Sequence, residues 1–112
     1  MPTDLASLTE QYRRSAAGTG AATPDSANRC HDAMHEAYKQ LRGTQSGRDA
    51  ILALINDPSP HVRRWAASHS LAWAPQAARK ALEELVRADG PCAFTARITL
   101  EEFDAGRLSF EY

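Results

Sequence analysis

Two histidines are the first residues in this chain whose spacing could support chemistry. His31 and His35 stand four residues apart, which lets two imidazoles share a metal ion on one face of a helix. The metalloprotease motif places Glu directly after its first His, whereas this chain has Asp32 there and no evident third ligand. A metal-dependent hydrolase with His31 and His35 as ligands is therefore one alternative, and two surface histidines are the favoured interpretation.

The cysteines and His69 favour a structural role over catalysis. Cys30 precedes His31, but adjacent helical residues point about 100° apart and do not face each other. Cys30 and Cys92 show no CxxC spacing, so we expect two buried free thiols. His69 lies in an alanine-rich segment and is predicted to be a partly buried, hydrogen-bonding side chain. With no phosphate-binding loop and no serine-centred elbow, we predict a non-enzymatic protein without a cofactor.

Basic residues occur in pairs that could line one surface and contact phosphates. These are Arg13 and Arg14, Arg63 and Arg64, Arg79 and Lys80, and the single Arg87. Glu83, Glu84 and Asp89 are interspersed among them, whereas a nucleic-acid surface needs an excess of positive charge. A solvated helix face with ion pairs explains the pattern better, and a nucleic-acid-binding scaffold remains a second alternative.

A protein-binding surface is the functional hypothesis that these residues support best. Trp65 and Trp73 lie two turns apart on faces about 80° apart, so one core cannot easily hold both. Trp and Arg are enriched at interface anchors, so Arg64, Trp65 and Arg29 form the predicted contact patch. The alternative is that both indoles are buried against neighbouring helices.

Acidic residues near the end of the sequence form a second candidate patch. Glu101, Glu102 and Asp104, with Glu111 beyond them, would suit a basic partner such as a nuclease domain. The same residues could equally be a solvated surface.

Composition limits the remaining possibilities. The 112 residues are enough for one domain, and the net charge of -1 gives no overall attraction to nucleic acid or to an anionic membrane. The first residues lack a basic segment followed by an apolar run, and no stretch approaches the roughly 18 apolar residues of a membrane span. We therefore predict a single cytoplasmic domain of unknown oligomeric state.

Hydrophobic periodicity and breaker residues predict six helices and no sheet. The first follows a possible Thr3 cap and ends before Gly18, and residues 18–24 form a mobile loop. Asp25 or Ser26 caps the second helix, which stops at Gly43. The others run over 48–55, from Pro60 to about Ala74, from Pro75 to Gly90, and from about Phe94 to Gly106. Phe94, Ile98, Leu100 and Phe103 are predicted to face the core, and residues 107–112 form a tail.

The segment from Asp57 to Ala67 carries a family resemblance. Asp57-Pro58 closes one helix, Ser59 can cap the next, and Pro60 occupies its first position. Val62-Arg63, Ala66-Ala67 and Leu71 resemble the second helix of a HEAT repeat, which implies that Arg63 ties back to Asp57. The segments from Gly47 to Ala74 and from Pro75 to Ala105 have the length of helix pairs in a short antiparallel α-solenoid.

A wider set of motifs, spanning about residues 26–107, is similar to a small bacterial domain-of-unknown-function family, number two-thousand-and-nineteen. The motifs are Asn28-Arg29, Val62-Arg63, Ala66-Ala67, Leu71 through Pro75, Ala78-Arg79, Leu82-Glu83 and Gly106. The resemblance implies an all-α, HEAT-like fold and no catalytic residues. Small HEAT-like proteins of this kind also resemble immunity proteins, so the expected function is to bind another protein, plausibly a cognate toxin, and occlude it.

Overall fold

A computed structural model of the chain describes residues 4–21 and 23–110. Thr3, the expected first cap, and the tail residues Glu111 and Tyr112 lie outside these ranges, as does Ala22 in the predicted loop. The described part is all-helical, without a strand. Its helices are α1 (Leu5–Gly18), α2 (Pro24–Leu41), α3 (Gln45–Ala53), α4 (Pro60–Ser70), α5 (Pro75–Ala88) and α6 (Ala93–Asp104), with a 3-10 turn over Leu54–Asn56 after α3.

Short polar side chains begin the first four helices. Asp4, Thr23, Thr44 and Ser59 each accept a hydrogen bond from the backbone N–H three residues later. The Ser59 cap and the first-turn positions of Pro60 and Pro75 are confirmed. The expected Asp25 or Ser26 cap is wrong, because Pro24 already lies inside α2 and Thr23 supplies the cap.

Several helix boundaries differ from the predicted ones for local reasons. α3 begins at Gln45, because Thr44 caps it, and not at Arg48. α4 ends at Ser70 and not near Ala74, because Pro75 excludes Ala74 from the helical conformation. Residues 71–74 form turns instead, and the N–H of Ala74 donates to the carbonyl of Ser70 at 2.7 Å.

α4 is the centre of the molecule and contributes to two hydrophobic clusters. Val62 and Ala66 pack in a cluster with residues of α1, α2 and α3, whereas Ala67 packs in a second cluster with α5 and α6. Small side chains let helices approach on both sides, so α4 is buried almost all round from Ala66 to Ser70. Ser68 is buried, and its hydroxyl donates to the carbonyl of Arg64.

The predicted orientation of α6 differs from the structure in which side chains face the core. Ala96 is buried, and Leu100 and Phe103 pack against the second cluster, as required of its inner face. Phe94 and Ile98, predicted to face inward, are instead 63% and 39% exposed. Since helical residues four apart share a face, the two form one exposed apolar strip.

Candidate functional site

Trp65 joins α4 to α2 and to the residue that follows α1. Its indole N–H donates to Oγ1 of Thr19 at 3.1 Å, and its ring centroid lies 5.4 Å from that of His31. Trp65 and Trp73 are both half-buried, so neither projects freely into solvent. The buried Nε1 of Trp73 has no hydrogen-bond partner in the described part of the chain.

The three residues of the predicted basic contact patch differ in their surroundings. The guanidinium carbon of Arg64 lies 4.2 Å from the centroid of the Trp65 ring, a cation–π contact. Burial lowers the pKa of Arg64, with the nearby Cys92 acting in the opposite direction. Arg29 is exposed, and its recorded hydrogen bond is to Ser26 on its own helix, at 3.3 Å. The structure thus brings Arg64 and Trp65 together and gives Arg29 only a local contact.

An aromatic cluster surrounds Trp65. We use this term for Tyr12, His31, His35, Tyr38, Trp65, His69 and Phe110, which are linked by ring contacts. His31 and His35 stack with their centroids 6.2 Å apart and their planes at 3°. Within residues 4–21 and 23–110, no group of three His, Cys, Asp or Glu side chains could hold a metal ion. His31 and His35 are direct neighbours within the aromatic cluster.

His69 lies at the centre of the aromatic cluster and is only 1% exposed. Its Nδ1 is 2.6 Å from the hydroxyl of Tyr12, and its ring stacks on Tyr38 with centroids 3.9 Å apart. Burial lowers the pKa of His69 well below its ordinary value, and the neighbouring His35 and His31 lower it further. Burial also raises the pKa of Tyr12, so the two groups meet as neutral hydrogen-bond partners.

A thiol–imidazole contact joins residues that the sequence analysis did not connect. Sγ of Cys92 lies 3.4 Å from Nδ1 of His61, across 31 positions of sequence. Burial, with a smaller contribution from Arg64, lowers the pKa of His61. Cys92 is a buried free thiol as predicted, whereas Cys30 is only half-buried. Nothing in the local sequence indicates the contact, because it depends on how α4 packs near the start of α6.

Ion pairs neutralise much of the predicted acidic patch. Glu102 accepts two hydrogen bonds from Arg107, at 2.8 and 3.1 Å, and these bonds lower the pKa of Glu102. Asp104 pairs with Arg79 of α5. Glu101 is exposed and has no ion pair in the described part of the chain. The patch is therefore less acidic than its composition suggests.

Arg63 performs the tie expected from the HEAT resemblance, but through the main chain. Its Nη1 donates to the carbonyl oxygens of Asp57 and Pro58, at 2.8 and 3.0 Å. The Asp57 carboxylate instead accepts from the backbone N–H of Ser59. Arg63 therefore stabilises the turn before α4.

The α6 outer face is an exposed surface on which apolar and charged side chains lie side by side. We define it as Phe94, Arg97, Ile98 and Glu101, which recur at spacings of three and four residues. The guanidinium carbon of Arg97 lies 5.4 Å from the centroid of the Phe94 ring. Beside this face, Val86, Arg87 and Leu100 line a shallow groove between α5 and α6. The face thus joins an aromatic ring, an aliphatic side chain and both signs of charge.

Comparison with known families identifies the chain's family. A family described as a domain of unknown function (DUF2019) matches residues 10–104. The chain belongs to this family. The match covers α2 through α6, most of α1 and every buried residue of the two hydrophobic clusters except Leu8. The DUF2019 domain therefore makes up most of the structure described above.

The other comparisons give the DUF2019 domain no further relatives. No curated protein and no solved structure matches the chain.

None of the helices described in this DUF2019 domain combines the length and the hydropathy needed to cross a bilayer.

Proposed function

We propose that this DUF2019 domain is a non-enzymatic protein-binding module that contacts its partner through the α6 outer face. The observation that carries the proposal is that α6 has apolar side chains on opposite sides. Ala96 and Phe103 pack inward, while Phe94 and Ile98 point outward and are 63% and 39% exposed. A helix that is apolar on two sides is typical of one covered on two sides.

The energetics of this face support a docking role. Burying a Phe or Ile side chain contributes about 1.5–3 kcal/mol relative to leaving it exposed. Arg97 and Glu101 flank the two apolar side chains without an ion pair in the described part of the chain. They can set the orientation of a partner that presents an apolar surface with charges at its edge. The predicted patch at Arg64 and Trp65 is less accessible, since both side chains are engaged within the protein.

We infer that the six helices form a HEAT-like α-solenoid of antiparallel pairs in the cytoplasm. Successive helices pack against one another from α4 to α6, and α1 packs along α2. The small residues of α4 and the Arg63 tie support the same arrangement. Such stacks offer extended surfaces for partner proteins. Interhelical angles from a crystal structure would test the arrangement.

Affinity capture from the native host tests the binding proposal. The bait is the full chain as wild type, as a Phe94→Ser, Ile98→Ser double variant, and as Leu5→Ser. Leu5 is a matched control, because it is an apolar residue of α1 that is 45% exposed. We expect the wild type and the control to retain the same protein and the double variant to lose at least tenfold in affinity, about 1.4 kcal/mol. Equal retention by the double variant would contradict the proposal.

The immunity hypothesis predicts what the captured partner does. If the partner is a toxin, its expression should arrest growth, and co-expression of the wild-type chain should restore it. The double variant should fail to protect cells in which the control succeeds. Sedimentation of the isolated chain would show whether the same face instead binds a second copy. A captured partner without toxicity would overturn the immunity hypothesis and leave the binding module intact.

A further inference from the structure

A pocket of about 140 Å³ lies where the aromatic cluster meets the tail that follows α6. Aromatic side chains from three parts of the chain line it: Tyr38 of α2, Phe103 of α6 and Phe110 of the tail. Leu71 and Leu108 add aliphatic surface to the wall of the pocket. The imidazole of the buried His69 is also part of this wall. Nη1 of Arg42 donates to the carbonyl of Phe110 at 2.6 Å, which holds this part of the tail against the end of α2.

The volume of this pocket limits what it can hold. An apolar cavity of about 150 Å³ in another protein accommodates one benzene molecule. A single six-membered ring therefore matches the space of about 140 Å³. Aromatic walls suit such a ring, since ring pairs prefer tilted or offset contacts like those already present between Phe110 and His69.

One polar group in the wall has no partner. Nδ1 of His69 is engaged by the Tyr12 hydroxyl, and Nε2 has no hydrogen-bond partner among residues 4–21 and 23–110. A ligand in the pocket that hydrogen-bonds to Nε2 would give this nitrogen a partner, and a typical hydrogen bond contributes about 0.5–1.5 kcal/mol. A hydroxyl group suits this position in either tautomer of His69, because a hydroxyl both donates and accepts.

We propose that this pocket is a binding site for a neutral phenol, a single aromatic ring with one hydroxyl group that hydrogen-bonds to Nε2 of His69. The ring would lie among Tyr38, Phe103 and Phe110. This site is separate from the α6 outer face, so it does not depend on the proposed protein-binding role.

The test is a titration of the full chain, labelled with nitrogen-15 at histidine, with phenol and with benzene. Phenol should bind saturably at one site and shift the Nε2 resonance of His69 more than those of His31, His35 and His61. Benzene lacks the hydroxyl and should bind about two- to tenfold more weakly, the equivalent of one hydrogen bond. Phenol that does not saturate, or benzene that binds as tightly as phenol, would overturn the proposal.

Two variants connect the binding to this pocket. Ala72 is exposed and lines the pocket, so Ala72→Phe should fill it and abolish saturable phenol binding. Ala53→Phe places the same side chain at an exposed position of α3 and should bind phenol like the wild type. Circular dichroism melting confirms that both variants fold. Unchanged phenol binding by a folded Ala72→Phe variant would show that the ligand lies elsewhere and would contradict the proposal.

Discussion

His69 is a buried imidazole whose environment favours the uncharged form. Its ring stacks on Tyr38, and Nδ1 bonds the Tyr12 hydroxyl at 2.6 Å. The ionisable groups around it come from several elements: Tyr12 of α1, His31, His35 and Tyr38 of α2, Arg42 after α2, and Arg64 of α4. Its basic neighbours oppose protonation, so at the residue scale His69 acts as a neutral hydrogen-bonding core residue.

Removing the hydroxyl that bonds His69 should destabilise the protein. Tyr12→Phe leaves Nδ1 of His69 unpaired inside the core, and we expect it to lower the free energy of unfolding by about 1–3 kcal/mol. Urea denaturation measures the change. Tyr38→Phe is the matched control, because it keeps the ring that stacks on His69 and removes no hydrogen bond within the described part of the chain. A Tyr12→Phe variant as stable as the control would refute the importance of this bond.

Acid should destabilise the protein through the same histidine. The pKa of His69 is lowered well below 6.5 in the folded state, so below pH 6.5 the unfolded chain binds a proton that the folded chain does not. Stability is therefore fully present above about pH 6.5, the unfolded value, and falls below it by up to about 1.4 kcal/mol per pH unit. Urea midpoints from pH 7.5 to 5.0, with histidine NMR titration, measure both quantities. A His69 resonance that titrates near pH 6.5 would contradict this expectation.

Local chemistry was predictable from sequence at this scale, and long-range contacts were not. The Ser59 cap and a hydrogen-bonded His69 follow from residue type and position in a helix. The bond from Trp65 to Thr19 and the contact of Cys92 with His61 join residues 46 and 31 positions apart. No period or spacing indicates such pairs, because they form only when the helices pack.

At the scale of the elements, the packing of α4 and the position of α3 both depend on small residues. α4 packs on two sides through its alanines. The position of α3 depends on Gly47, which is buried against the main chain of Leu41 at the end of α2. The facing of α6 could not be predicted, because large apolar residues occur on opposite sides of the helix and periodicity alone does not choose between them.

Adding a methyl group at Gly47 should separate α2 from α3. A β-carbon there would collide with the carbonyl group of Leu41, and backbone cannot move aside as a flexible side chain does. Gly47→Ala should cost about 1–3 kcal/mol, as overpacked sites do. Gly90→Ala is the control, since nothing lies within 4 Å of its added carbon, and it should stay within about 0.5 kcal/mol of the wild type. Equal melting temperatures for the two variants would count against the close approach of Gly47 to the main chain of Leu41.

At the scale of the whole molecule, the described chain is a set of helices around α4 with an uncovered apolar face on α6. Its all-helical character and its DUF2019 membership were predictable from helix signals and short motifs. The surface proposed for binding was not, since the sequence favoured Arg64 and Trp65, which are packed against other residues of the chain. Interface preference by residue type cannot reveal which Trp or Phe remains exposed after packing.

Amide hydrogen exchange of the chain with and without its captured partner tests the proposed binding face most directly. If the α6 outer face is the docking surface, the partner should slow exchange in α6 around Phe94 to Glu101 and in the facing part of α5 around Val86. The Phe94→Ser, Ile98→Ser variant should show no such protection at the same partner concentration. Protection confined to α2 and α4 around His31 and Trp65, with α6 unchanged, would contradict the proposal.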